Sequence, residues 1–326
     1  MQGKEASEQE TRNKSSVGID VSKCWLDAYI TPSGGGLRVA NNGVGIRRLK
    51  RWLSAFDIAL VVVEATGKWH RHVQRSLAAS AIAVAAVDPY RVRMFAKAQG
   101  VLAKTDRLDA RVLAAFAAVM QPAVRAPAAP LMAELAELVA ARANAVAMQT
   151  AVKNQLAAAQ TKFLKRQLKQ RIERAAEDVA ALNGEILKRI EADEVLARRY
   201  AILTSIPSFG FTVAATLIAC LAEIGSLNAK QAGMLAGLAP VADQSGEREG
   251  VRVIWGGRAA VRRILYLAAV SAVRANADMK AFYARLRASG KAPKQALIAV
   301  ARKLVVLANT LLNENRFWQS SAPKHA

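Results

Sequence analysis

Residues 58–67 read IALVVVEATG. Six apolar residues run without interruption, three of them valines in a row, and then stop at a glutamate followed by a turn signal. The run is too short for a membrane span or a long helix, and its β-branched content favours a strand. A strand apolar on both of its faces belongs to a sheet covered by helices on both sides.

The text on either side agrees. Upstream, VGIDVSK (17–23) is a second buried strand, with Asp20 at its end. CWLDAYITPSGGG (24–36) is a strand closed by a glycine-rich turn, LRVANN (37–42) a third strand, and GVGIRRLKRWLSAF (43–56) has helical apolar spacing. Downstream come a helix near 68–79, the strand AIAVAAVDP (81–89), and helices near 90–99 and 106–119. Three strands, a helix, then alternating strands and helices predict an α/β domain over 17–125 that opens as a meander and closes in parallel units.

QPAVRAPAAP (121–130) reads as a linker between domains. From Leu131 to Asn183 there is no glycine or proline, and Leu131, Leu135, Leu138, Ala145, Val152, Leu156, Ala159 and Phe163 keep a 4,3 spacing broken by Arg142 and Gln149. A second seam, Leu168, Ile172, Ala175, Val179, Leu182 and Ile186, is out of phase with it. This predicts a coiled-coil or antiparallel-hairpin spacer over 131–199, with the seam serving oligomerisation. The alternative is a long helix packed on its own chain. Residues 200–318 read as an all-α domain, and the polar residues 1–16 as a disordered lead-in.

The chain of 326 residues carries 47 Lys and Arg against 25 Asp and Glu, a net charge of +22. A protein this basic most often serves a polyanion. The excess is +9 over residues 1–130, +3 over 131–200 and +10 over 201–326, which favours the two end domains as the nucleic-acid contacts. Cys24 and Cys220 form no zinc spacing or disulfide framework. The apolar runs look too short for a membrane span, so the expectation is a cytoplasmic protein with no membrane partner.

Candidate chemistry rests on carboxylates. Asp20 and Glu64 end two strands, where sites gather in open α/β sheets. Asp106 and Asp109 stand three apart on a helix and share one of its faces. Four converging carboxylates need a cation between them, and an all-oxygen set suits Mg²⁺. Taken singly, each is more readily a turn residue or a helix cap than a catalytic group; their joint positions carry the reading.

The segments GIDVSK, EATGKWHRHV, VDPYRVRMFAKAQG and KTDRLDARVLA resemble the RuvC-like, ribonuclease-H-like DEDD domain of the insertion-sequence transposase family numbered one hundred and ten, which includes the Piv-type invertases. LTSIPSFGFTVAATLIA, AGLAPVADQSGEREG and GGRAAVRRILYLAAV resemble that family's C-terminal transposase domain. The resemblance implies a DNA transposase or recombinase in which Asp20, Glu64, Asp106 and Asp109 hold Mg²⁺ and Ser245 attacks a DNA phosphodiester and is transiently joined to the strand. It further implies element-end and target DNA as substrates, a non-coding bridge RNA as partner, and assembly as a dimer or tetramer.

Lys104 and Arg111 flank the aspartates and either touch phosphate or balance their charge, and Arg248, Arg252, Arg258, Arg262 and Arg263 follow Ser245 as candidate phosphate clamps, with a solvated basic face the alternative for each. The chain departs from the family pattern at Ser208 (usually glycine), at Glu247 and Glu249 (usually basic) and at Gly256 (commonly lysine). Two other functions compete: a structure-specific endonuclease of the Holliday-junction type, needing only the carboxylates, and a non-catalytic nucleic-acid-binding protein, needing only charge.

Overall fold

The structure, a computed structural model, describes residues 14–65, 67–101, 106–241, 244–245, 248–249 and 253–319, with backbone alone at 106–107, 244–245 and 248–249. The chain divides into two compact units, Met1–Ala128 and Ala129–Ala326, and the break falls within the Pro/Ala segment expected to be a linker.

In the first unit, β1 (Ser15–Val21), β2 (Trp25–Thr31) and β3 (Gly35–Ala40) form an antiparallel meander. The helix α1 (Gly43–Leu53) then crosses to β4 (Ile58–Glu64), α2 (His70–Ala78) to β5 (Val84–Val87), and α3 (Pro89–Ala98) and α4 (Asp106–Met120) follow. The sheet order is β3-β2-β1-β4-β5, with β1, β4 and β5 parallel. This is the mixed α/β arrangement the sequence predicts.

Alternation along the strands feeds two cores. Val17, Ile19, Val61 and Val63 pack with Ile46, Leu49 and Leu53 of α1 and Val73 and Leu77 of α2. Leu60 and Val62 pack on the opposite face with Val92 of α3 and Leu113 and Phe116 of α4. Asn42 caps α1 by accepting from the Gly45 amide at 2.9 Å, and Asp88 caps α3 through the Tyr90 amide at 2.7 Å.

The second unit begins with two long helices, α5 (Pro130–Ala158) and α6 (Lys162–Glu191), joined by residues 159–161 and running antiparallel. Both interruptions of the apolar seam find partners across this hairpin. Arg142 Nε donates to Asn183 Oδ1 at 2.6 Å, and Gln149 Nε2 reaches the Ile172 carbonyl at 3.5 Å. Nearer the base, Arg189 ties Glu134 to Glu185. A polar pair inside an apolar seam fixes register. Much of the apolar seam is engaged within the chain: Leu135, Leu168 and Ile186 are buried and Val152, Leu156, Ile172 and Val179 half-buried, while Phe163 beside the turn is exposed. The physical reason is the short connection at 159–161, which folds the second seam back onto the first.

The remaining helices are α7 (Glu194–Thr204), α8 (Phe211–Cys220), α9 (Ala229–Leu235), α10 (Ala259–Ala275), α11 (Ala277–Ala288) and α12 (Pro293–Asn313). They share one core with the base of the hairpin. The expected all-α domain needs one correction. Between α9 and α10 lies a small β arm, where β6 (Pro240–Val241) pairs with β9 (Val253–Ile254) and β7 (Gln244–Ser245) with β8 (Arg248–Glu249). Two-residue strands in polar text leave no periodicity to read.

The helix α12 is also the one described helix long and apolar enough to cross a membrane by length and composition, which the reading of the sequence missed because Lys294, Arg302 and Lys303 break its apolar run. Its face Ala296, Val300, Ala301, Leu304, Val305, Ala308 and Leu311 is completely buried in the core of the unit.

Ser208, in the turn between α7 and α8 where the family pattern has glycine, sits at φ +81°, and its buried hydroxyl has no hydrogen-bond partner. Left-handed backbone at a residue with a Cβ and an orphaned hydroxyl each destabilise. Ser208→Gly is expected to raise stability by about 1–2 kcal/mol, read as a rise in the midpoint of thermal or urea unfolding.

Candidate active site

Three neighbouring strands carry the site. In the parallel register of β1 and β4, Ile19 lies beside Val63, so the next residues, Asp20, one before the end of β1, and Glu64, the last of β4, fall on the same face. That face is the one crossed by α4. Gly18 shows how closely: a Cβ there would stand 2.2 Å from the Ala110 carbonyl oxygen, 2.2 Å from the Ala114 amide nitrogen and 2.6 Å from the Leu113 carbonyl carbon. The helix backbone rests on β1, and only glycine permits it. Asp109 immediately precedes Ala110, so the contact at Gly18 brings the start of α4 beside the strand ends that carry Asp20 and Glu64. Asp20, Glu64 and Asp109 are half-buried. Asp106 is the first residue of α4, one turn earlier, and its side chain lies outside the described residues.

A further carboxylate stands in the same row. Asp27 of β2 pairs directly with Asp20 across the antiparallel ladder and therefore shares its face. It is only 5% exposed and lies 3.7 Å from Arg38 Nε. The spacing within CWLDAYI marks it only as the odd polar residue of a strand; the signal that would have found it is the hairpin register, which places it opposite Asp20. Beside it opens a cleft of about 640 Å³, lined by Asp27, Tyr29, Arg38, Leu108 and Arg111 among others. Arg111 stacks its guanidinium 5.9 Å from the centre of the Tyr29 ring, which holds its positive charge at this cleft.

The donor chemistry fits a hard cation, because every candidate ligand is a carboxylate and the strand register brings two of them side by side. Among the described residues, no group of three or more His, Cys, Asp or Glu is gathered closely enough to hold a metal ion.

In the second unit, Ser245 ends β7 and pairs with Arg248 at the start of β8, so its backbone occupies the inner ladder of the β arm. The arm is rooted in a tight glycine contact. Gly257, at φ +64°, lies so close that a Cβ would meet the Gly237 nitrogen at 2.3 Å and its Cα at 2.4 Å. The side chains of Ser245 and Arg248 lie outside the described residues, as do Lys104 and Arg252 altogether.

The other arginines divide. Arg258 faces inward: its two terminal nitrogens each donate to Glu223 at 2.6 Å, and one also donates to the Cys220 carbonyl at 2.9 Å. In this structure it is a brace, because a bidentate carboxylate occupies the fork expected to clamp phosphate. Arg262 donates to the Gly256 carbonyl at 2.6 Å and stiffens the root of the arm. Arg263 is exposed on the first turns of α10 and available to a polyanion. Burial pushes the Cys220 thiol up from its ordinary pKa, against a smaller opposing pull from Arg258, so the thiol stays protonated and unreactive.

Comparison with known proteins decides the family. A transposase family model for the DEDD domain of IS110 elements matches residues 17–164, and the model of the IS116/IS110/IS902 transposase family matches 200–284. Together they cover well over half of the chain, in order.

This chain belongs to the IS110 family of transposases.

Curated relatives extend the match nearly end to end. The pilin gene-inverting protein of Moraxella bovis is 26% identical over 93% of this chain and 97% of its own length. Its counterpart from Moraxella lacunata is 27% identical over the same shares. A 43.6 kDa protein of the insertion element IS110 from Streptomyces coelicolor is 32% identical over 37% of the chain and 31% of its own length. Membership in the IS110 family makes the chain an enzyme that cleaves and transfers DNA strands. The first family match ends at residue 164, past the turn of the hairpin, so it joins the sheet unit to the first long helix and does not stop at the boundary between units.

Proposed function

We propose that this IS110 transposase cuts and rejoins DNA by linking Ser245 transiently to a phosphate held over the carboxylate row of the first unit. The observation that carries the reading is the placement of Asp20 and Glu64 at the ends of adjacent parallel strands, on the face that α4 crosses with Asp109 near its start. The meander followed by two parallel strands, in the order β3-β2-β1-β4-β5, supports a ribonuclease-H-like domain. We read residues 17–125 as that domain, the hairpin within 131–199 as the spacer, and 200–318 as the transposase domain.

Asp20, Glu64, Asp106 and Asp109 are the residues that would hold Mg²⁺, which when bound offsets charge on the phosphate oxygens and orients them. The carboxylates would confine the cation, and Arg111 would add positive charge beside them. Ser245 contributes the nucleophile. Its Oγ forms a bond to phosphorus, its proton leaves to a carboxylate or solvent, and the P–O bond to one sugar oxygen breaks, with that oxygen taking up a proton. Attack by a new strand's hydroxyl reverses the exchange, frees Ser245 and joins the strands. One phosphoester replaces another at each step, so no external energy source is needed.

Ser245 belongs to the second unit and the carboxylates to the first, so this reading requires both units to act on one phosphate. The charge of +22 supports the bridge RNA as a second polyanion, and the enzyme would act as a dimer or tetramer in the cytoplasm, on the bacterial nucleoid.

The test is incubation of the full chain with Mg²⁺ and element-end DNA, followed by denaturing electrophoresis. The wild type should give a protein–DNA adduct that survives denaturation, and Ser245→Ala should give none. Cleavage that persists in Ser245→Ala but disappears in Asp20→Asn would instead identify a nuclease that uses the carboxylates alone.

A further inference from the structure

We propose that the distal half of the α5–α6 hairpin is a docking surface for duplex DNA, contacting backbone phosphates through Lys162, Lys165, Arg166 and Lys169. The modest charge of the spacer conceals a strong polarity. Residues 138–172 hold seven Lys and Arg and no Asp or Glu, whereas the rest of 131–200 holds five against nine. The cations surround the turn at 159–161, and the carboxylates lie toward the base, where Arg189 engages Glu134 and Glu185.

The four named residues stand at i, i+3, i+4 and i+7 of α6, so they form one stripe along the helix. All four are exposed. Leu168 and Ile172 of the same helix, buried and half-buried, border the stripe on the side of Lys165, so the four cations flank the apolar seam and stay exposed. The stripe spans about 10 Å at 1.5 Å per residue. With one phosphate per about 3.4 Å of each strand, that length matches about three phosphates of a duplex strand. The start of α6, capped by Thr161, adds the positive end of a 30-residue helix dipole at the same place. Phe163 is 65% exposed there, with the Arg166 guanidinium 5.8 Å from its ring centre, and offers an apolar edge to the sugars. A cluster of like charges held on one rigid face is self-repelling, and a polyanion relieves it.

The proposal rests on the DNA substrate of the family and is independent of Ser245 and the carboxylates. It also revises the expectation that the spacer leaves nucleic acid to the end domains.

The test is equilibrium binding without chemistry. The full chain is titrated in EDTA against a fluorescein-labelled duplex of random sequence, by anisotropy, between about 50 and 200 mM KCl. In a Lys162→Gln, Lys165→Gln, Arg166→Gln, Lys169→Gln variant, the slope of log affinity against log salt should become shallower by about 3, with affinity lowered at least about tenfold. Each single Gln substitution should lower the slope by about 1 and guards against misfolding of the multiple variant. Replacing the three lysines by arginine should leave the slope unchanged, since charge is retained. An unchanged slope in the Gln variants, or a loss seen with single-stranded RNA and not with the duplex, would overturn the proposal. Because EDTA silences strand cleavage, failure here leaves the serine mechanism standing, and failure of the serine mechanism leaves this result standing.

Discussion

Asp20→Asn is expected to lower DNA strand cleavage by at least about a thousandfold, equivalent to about 4 kcal/mol of transition-state stabilisation. The substitution keeps the size of the side chain and removes one negative charge from a row in which Glu64 ends the adjacent strand and Asp27 pairs across the ladder. Asp20 is half-buried at a strand end and outside both apolar cores, so the fold should be retained. DNA binding should hold or tighten, because a repulsive carboxylate is gone from beside the phosphate. Lost rate with preserved binding separates a catalytic role from a structural one. Glu64→Gln should behave alike, and the double variant should be little worse than either single one, since residues that act as a unit are not additive. Cleavage within tenfold of wild type would remove Asp20 from the site.

Gly18→Val is expected to destabilise the first unit by more than about 4 kcal/mol, beyond the usual range for one substitution. Even a Cβ at this position would overlap three backbone atoms of α4 at 2.2–2.6 Å, and backbone cannot rotate aside as a side chain can. The helix would have to lift from the sheet, exposing Leu113 and Phe116, each fully buried and each contributing about 1.5–3 kcal/mol through burial. Asp106 and Asp109 would move with it. Urea unfolding followed by far-UV circular dichroism measures the effect. Gly18→Ala should already show a substantial part of it, because the clash begins at the Cβ. A Gly18→Val protein as stable as wild type would show that α4 does not rest on β1 as described.

The sheet was legible because its strands are short apolar runs between clear turn signals. IALVVVEATG gave the central strand and its terminal glutamate, and VGIDVSK gave the partner that ends one residue beyond Asp20. The place of Asp27 beside Asp20 was not legible, because it comes from pairing across a hairpin, and a single strand does not display its register. The hairpin was half legible: the absence of glycine and proline fixed two long helices, but the 4,3 spacing could not say whether the apolar face meets another chain or its own continuation. Arg142 and Gln149 read as flaws in that face, and in the fold they bond across the turn.

In the second unit, the β arm escaped notice because its strands have two residues each. Arg258 looked like one more basic residue near Ser245. Its partner Glu223 lies 35 residues away in sequence, and only the fold brings them together. Regional net charge hid the basic cluster of the spacer, because the cations near its turn and the carboxylates toward its base nearly cancel in the sum.

The central claim, that Ser245 becomes covalently joined to DNA, is tested most directly by mapping the linked residue. Wild-type protein is reacted with element-end DNA and Mg²⁺, denatured, and digested with nuclease and trypsin, and the nucleotide-bearing peptide is sequenced by mass spectrometry. Cleavage after Lys230 and Arg248 releases residues 231–248, in which Ser245 is the only hydroxyl-bearing side chain. The account predicts a nucleotide remnant on that peptide, at Ser245. A remnant on any other residue, or DNA cleaved with no peptide carrying one, would contradict it.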